Sequence, residues 1–236
     1  MSVSPDVVIN TDTPRVPDEL LEALRELDLP TFGHLLESGF AEGLQHIVGP
    51  AALAVGRVVT VKLLDTDSRM LHYSTALVQP GDFVVIEAGA NVRYASVGGG
   101  IAGAFAAAGV VGIAVDGRCT DIVELRESGM AVYSRGLSPF TTRSNGGPIR
   151  GSINVPVSVG AIAVTPGLIA LGDENGLLFA TAEQVEALIP RVHELLAWEP
   201  PAMARVRAGE RLADILIPAD DLAHLNTLAQ RKATTS

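Results

Sequence analysis

With 236 residues, 47% of them hydrophobic, the chain is long enough to bury an extensive core without staples, as one large domain or two small ones. Its single cysteine, Cys119, excludes an intrachain disulfide and a cysteine-rich zinc site, and it fits a reducing, cytoplasmic setting. A net charge of -10 and no basic run argue against a nucleic-acid surface, because phosphate binding depends on Lys and Arg releasing counterions.

The opening "MSVSPDVVINTDTPRVPDELLEAL" has no basic segment followed by an apolar one, so no signal peptide is read. Residues 1–16, polar and Pro-bearing, are expected to form a loosely held N-terminal arm. A first helix is predicted in "PDELLEALRELDLP", where Leu20, Leu21, Leu24 and Leu27 keep helical spacing and Asp18, Glu19 and Glu22 favour the N-terminal dipole. Pro30 is expected to end it, and Thr31 to cap a second helix that stops at Gly39.

From Ala51 the period changes. "ALAVGRVVTVKLL" reads as one or two strands, "RMLHYSTALV" as a short helix, and "QPGD" as the turn that follows. "FVVIEA", "VVGIAVDG" and "MAVYSRG" look like buried parallel strands. Between them sit "GGGIAGAFAAAG" and "DIVELRESG", helical by composition, so the middle of the chain is a repeated βα unit. After the polar loop "FTTRSNGGPIRGS", the stretch "INVPVSVGAIAVTPGLIALGDENGLLFA" predicts a β meander with a hairpin at "ENG". "TAEQVEALIPRVHELLAWEP" predicts a helix with a Thr cap. The apolar tract 101–115 is broken by Gly103, Gly109 and Gly112 and falls short of the roughly 20 residues of a membrane span, so no membrane contact is expected. The organisation expected is an arm (1–16), one α/β domain (17–199) and a C-terminal extension (200–236).

Parallel sheets place ligands at the carboxyl ends of their strands. The strand at 83–87 leads to Gly98, Gly99 and Gly100, whose N–H groups open a helix and suit a carboxylate or phosphate. The strand at 110–115 leads through "DGRCT" to Asp121 at the start of the next helix. If the two strands are neighbours, glycines and carboxylate share one crevice with Arg93 and Arg118. There an α-keto acid and a divalent cation would fit, the cation polarising the keto group. Two plainer readings stay open: the glycines serve helix–sheet packing, and Asp121 is a simple N-cap. Four further residues are weighed in the same way. Cys119 reads as a buried, inert thiol, Asn154 as a turn residue, His72 as structural, and Arg135 as either crevice-lining or idle.

The ordered string "QPGDFVVIEAGANVRYASVGGGIAGAFAAAGVVGIAVDGRCTDIVELRESGMAVYSRGLSP", then "INVPVSVGAIAVTPG" and "GDENGLLF", resembles the RraA-like family over roughly residues 30–180. That family includes class II 4-hydroxy-4-methyl-2-oxoglutarate aldolases, which also decarboxylate oxaloacetate, and regulators that inhibit RNase E. The resemblance implies a β/β/α swivelling-domain fold, phosphohistidine-domain-like, in an α/β chain assembled as homotrimers or hexamers. It also implies a Mg²⁺- or Mn²⁺-assisted lyase acting on a small carboxylated substrate, with Asp121 as metal residue and the amides of Gly98, Gly99, Gly100, Ile101 and Ala102 as carboxylate seat. Two departures stand out. Thr120 occupies the position of the family's substrate-binding arginine, and Gly99 that of an acidic residue. Arg118, two residues before Thr120, is the nearest cation in sequence, so Asp121, Thr120 and Arg118 together are expected to define an altered pocket. A non-catalytic, protein-binding member is the alternative.

Overall fold

The computed structural model describes residues 4, 7–89, 92–143 and 146–233, with side chains up to residue 230. Parts of the expected arm, of the link after the 83–87 strand, of the polar loop (Ser144 and Asn145) and of the tail lie outside the described residues. The chain divides into two compact units, residues 1–189 and 190–236.

In the first unit the elements run β1 (Val8–Ile9), α1 (Asp18–Arg25), α2 (Leu29–Gly33), β2 (Gln45–Val48), β3 (Ala54–Lys62), α3 (Arg69–Ser74), β4 (Asp82–Glu87) and β5 (Ala95–Val97). They continue with α4 (Gly99–Ala107), β6 (Gly112–Val115), β7 (Arg118–Cys119), α5 (Ile122–Glu127) and β8 (Ala131–Ser134). The meander supplies β9 (Ser152–Ile153), β10 (Val157–Val159), β11 (Ile162–Val164), β12 (Ile169–Asp173) and β13 (Gly176–Ala180). The fold class read from the sequence is the observed one: a mixed α/β fold around one central sheet.

The order of that sheet is β1-β9-β3-β4-β6-β8-β2, and β12, paired to β13, also joins β3. Strands β3, β4, β6 and β8 are mutually parallel, as short apolar runs separated by helices require. Alternation along each strand sorts the core into two faces. Val84, Ile86, Ile113, Val115 and Val132 face α3, α4 and α5, meeting Met70, Leu71, Phe105 and Leu125. Phe83, Val85, Ala114 and Tyr133 face the other way, against Val157, Val159, Val164 and Phe179 of the meander. Helices on one side and β-hairpins on the other make the three layers, and each fully buried large side chain contributes about 1.5–3 kcal/mol.

Three details depart from the sequence expectation, and one choice it left open, between one strand and two after Ala51, is resolved. The arm is held: Val8 and Ile9 pair in parallel with Ser152 and Ile153, and Asn10 and Asn154 exchange side-chain-to-carbonyl hydrogen bonds of 2.9 and 2.8 Å. Pro30 does not simply end α1. It sits in the first turn of α2, where a missing N–H costs nothing, and the cap is Asp28, which accepts the Thr31 N–H at 2.8 Å. The β3 region is one strand of nine residues. Finally, α6 (Ala182–Arg207) begins with the expected Thr181 cap, reciprocated by Gln184, but runs on through Pro200 and Pro201. The extension expected from residue 200 therefore starts inside a helix. The second unit carries the rest of α6 with α7 (Leu212–Leu216) and α8 (Ala219–Ala233), and no residue of α7 is buried. Among the described residues no helix is long and apolar enough to cross a membrane.

Candidate functional site

Strands β4 and β6 are neighbours, so the loops leaving their carboxyl ends start side by side. A second, small ladder then ties those loops together: Ala95 pairs with Arg118, Val97 with Cys119, and the Thr120 N–H donates to the Val97 carbonyl at 2.9 Å. This brings Gly98 against Thr120 and Asp121. Asp121 adopts φ 57°, ψ 53°, a left-handed conformation that costs most side chains about 1 kcal/mol and that aspartate is among the few to visit. The carboxylate does not cap its own helix, α5. Its Oδ2 instead accepts the Gly99 N–H at 2.9 Å, and its Oδ1 accepts the Thr120 hydroxyl at 3.3 Å.

The three glycines divide by the space around them. A methyl on Gly98 would lie 2.6 Å from Asp121 Oδ2 and 3.0 Å from Thr120 Cγ2, and one on Gly99 would lie 2.7 Å from Glu124 Cβ. Close packing therefore explains both. Gly100 has open space where a side chain would be, so packing does not explain it. The expected five-residue amide seat also contracts. The Gly99 N–H is taken by Asp121 and the Ala102 N–H by the Gly98 carbonyl, leaving Gly100 and Ile101 as the first-turn donors without a partner among the described residues. The space beside Gly99, where an acidic residue was expected from the resemblance, is filled by the stem of Glu124, one turn beyond Asp121.

Along the same edge of the sheet each parallel strand ends in a charged residue. Lys62 pairs with Glu87 at 3.0 Å, and Arg135 with Asp116. The free oxygens of the two acids accept backbone N–H groups of the meander, Ser158 at 2.8 Å and Gly160 at 3.2 Å. Glu87, Asp116, Arg135 and Ser158, with Ala88, Gly89 and Val92, line a cleft of about 340 Å³. Glu87 and Asp116 were not singled out in the sequence. The recoverable signal was a charge at the same place in each βα repeat. Arg135, read as either crevice-lining or idle, is held by Asp116 beside this cleft.

Cys119 is buried with its thiol 3.2 Å from Ser134 Oγ, and burial raises its pKa, as suits an inert residue. His72 is exposed on α3, Arg93 stacks 5.6 Å above the Phe140 ring, and Asn154 has φ 55° in the turn expected of it. Among the described residues no group of three His, Cys, Asp or Glu side chains could hold a metal ion.

A family model described as RraA-like, Aldolase/RraA, matches residues 13–179. The chain belongs to the RraA-like family. A 4-hydroxy-4-methyl-2-oxoglutarate aldolase of Thermus thermophilus is 29% identical over 130 residues, 55% of this chain and 77% of that protein. Among solved structures, RraAS2 of Streptomyces coelicolor, described as an unusual member of the RNase ES inhibitor RraA family, is similar with TM-score 0.67 and 21% identity, covering 80% of this chain and 97% of its own. The RNA-processing inhibitor RraA from Thermus is similar with TM-score 0.57 and 25% identity, covering 65% of this chain and 92% of its own. Both enzymes and inhibitors thus carry the fold, so the activity of this RraA-like chain has to be argued from its site.

Proposed function

We propose that this RraA-like protein is a divalent-metal-assisted carbon–carbon lyase, of aldolase or decarboxylase type, acting on a small keto acid. The observation that carries the reading is the Asp121 carboxylate, oriented by Gly99 and Thr120, without a cationic partner among the described residues, and adjacent to the free amides of Gly100 and Ile101. One exposed carboxylate suits Mg²⁺ or Mn²⁺, which commonly keep several waters and take one or two protein oxygens with the substrate. Bound there, the cation would supply Lewis-acid polarisation of a keto oxygen.

The chain's own residues do the rest. The Gly100 and Ile101 amides, at the positive end of α4, would donate hydrogen bonds to the substrate carboxylate and fix its orientation. Asp121 is held in one rotamer by two hydrogen bonds, which lowers the reorganisation needed on binding. Thr120 offers a hydroxyl where relatives are expected to offer a bidentate guanidinium, so carboxylate binding at that point is weaker and the favoured substrate differs.

Calorimetric titration of metal-free protein with Mg²⁺ and Mn²⁺, with and without oxalate as enolate mimic, tests this. Metal-dependent oxalate binding that falls at least tenfold in Asp121→Ala is the expected result. Absence of metal-dependent binding in the wild type would overturn it and favour the protein-binding alternative, which the inhibitor relatives and the missing arginine support.

A further inference from the structure

Among the described residues five arginines are partly buried: Arg25, Arg57, Arg69, Arg118 and Arg135. Four of them have a carboxylate, respectively Glu22, Asp82, Asp67 and Asp116. Arg118 has none, and no hydrogen bond to a described residue either. Withdrawing a guanidinium from water without a counter-charge is costly, so a fold that pairs its other partly buried arginines has a reason to leave this one open.

Its direction indicates the reason. Strand β7 has β5 on one flank and the segment 136–138 on the other, joined by Cys119 N–H to the Gly136 carbonyl at 3.1 Å and Ser138 N–H to the Cys119 carbonyl at 2.9 Å. Asp121 lies toward Gly98, on the β5 flank. The Arg118 guanidinium lies toward Gly136, on the opposite flank, where a methyl on Gly136 would come 2.8 Å from its Nη1. Gly136, at φ 109°, is a position that other residues rarely adopt, and the missing side chain is what admits the guanidinium. The side-chain amide of Gln45 also faces this place, with its Oε1 3.9 Å from the same point. Arg118 therefore does not stand in for the arginine missing at Thr120, which faces the other way.

We propose that Arg118, seated over Gly136 beside Gln45, is a second anion subsite that binds a carboxylate at the far end of the same substrate. The inference rests on the reading that Asp121 and the α4 amides hold the near end. Two strand spacings separate the flanks by about 10 Å, roughly the span of a short dicarboxylate hydrogen-bonded at both ends. Arginine's bidentate fork suits this task better than lysine.

The test is titration of the full chain, in saturating Mg²⁺ and again without metal, with pyruvate and with 2-oxoglutarate. The variants are Arg118→Ala, Arg118→Lys and Asp121→Ala, and each is also melted. Wild type is expected to bind 2-oxoglutarate about tenfold more tightly than pyruvate, the size of one charge-assisted contact. Arg118→Ala should lose that preference with pyruvate affinity unchanged, Arg118→Lys should keep part of it, and neither should melt lower, because the guanidinium makes no bond to a described residue. Equal preference in wild type and Arg118→Ala, or a lowered melting temperature with both ligands weakened alike, overturns the subsite. Failure of the metal reading looks different: Mg²⁺ and Asp121→Ala then have no effect, while the Arg118-dependent preference persists without metal.

Discussion

The amino ends of the parallel strands and the loops that lie past their carboxyl ends treat charge in opposite ways. At the amino ends of β3 and β4, Arg57 reaches Asp82 through Nε at 2.9 Å and Nη2 at 2.8 Å, and the second oxygen of Asp82 accepts the Gln79 N–H at 2.7 Å. Asp82 is 2% exposed, and its acceptors are used up within the fold. Past the carboxyl ends, Asp121 is exposed and Arg118 partly so; they lie on opposite flanks of β7, and neither has an ion-pair partner among the described residues. Saturated charge holds the chain together, whereas charge held in place but left open is available to a ligand. The contrast separates charge consumed by the fold from charge left open, without reference to any relative.

Removing one partner of the saturated pair is the strongest way to test that division. Asp82→Ala leaves Arg57 and the Gln79 N–H without their acceptor, and it should cost about 3 kcal/mol, the lower end for a broken buried pair because Arg57 keeps some access to water. Chemical denaturation should show this loss while oxalate binding by the remaining folded protein stays unchanged. Equal effects of Asp82→Ala on stability and on ligand affinity would erase the distinction between the two regions.

A smaller perturbation sharpens it at the open end. Gly98→Ala places a methyl 2.6 Å from the Asp121 carboxylate at an ordinary φ of -137°, so the carboxylate must turn away. Metal-dependent oxalate binding should weaken about tenfold, with stability lowered by under about 1 kcal/mol because only a side-chain end has to move. Gly100→Ala meets nothing within 4 Å. It should keep the backbone amide and raise stability by about 0.5–1 kcal/mol, the usual gain over glycine inside a helix. Melting and titration of the two variants together show whether the amide or the empty space at Gly100 serves the ligand.

These distinctions mark where sequence reading stops. The parallel strands, the "ENG" hairpin and the Thr181 cap were legible because each depends on a few consecutive residues. The adjacency of the glycines and Asp121 followed only conditionally, since it needed β4 and β6 to be neighbours. That Asp121 caps α4 and not α5 was invisible, because the partner lies 22 residues away and the choice rests on one left-handed φ. The pairing of β1 with β9 joins segments 144 residues apart, and two residues carry too little pattern to announce a strand. The direction of Arg118 was equally hidden: sequence gives its distance from Asp121 along the chain, but the flank it takes is set by Gly136, in a different loop.

The smallest effect concerns two saturated carboxylates that respond to acid in opposite senses. The hydrogen bond from Arg69 holds the Asp67 carboxyl below its ordinary value of 3.8, so the stability this group contributes is complete above that value and is lost as pH falls through the lower folded-state value. Asp82 is the reverse: burial outweighs Gln79 and Arg57 and raises its pKa, so stability declines as pH rises from 3.8 through the higher folded-state value. In Asp67→Asn the acid loss should therefore shrink, and the melting temperature between pH 2 and pH 5 should fall less steeply on acidification than in the wild type. An unchanged profile in that variant would mean that the Asp67–Arg69 contact contributes as little as an ordinary surface pair. Saturation would then be a property of Asp82 and its depth in the fold, and the contrast between the two regions would reduce to burial.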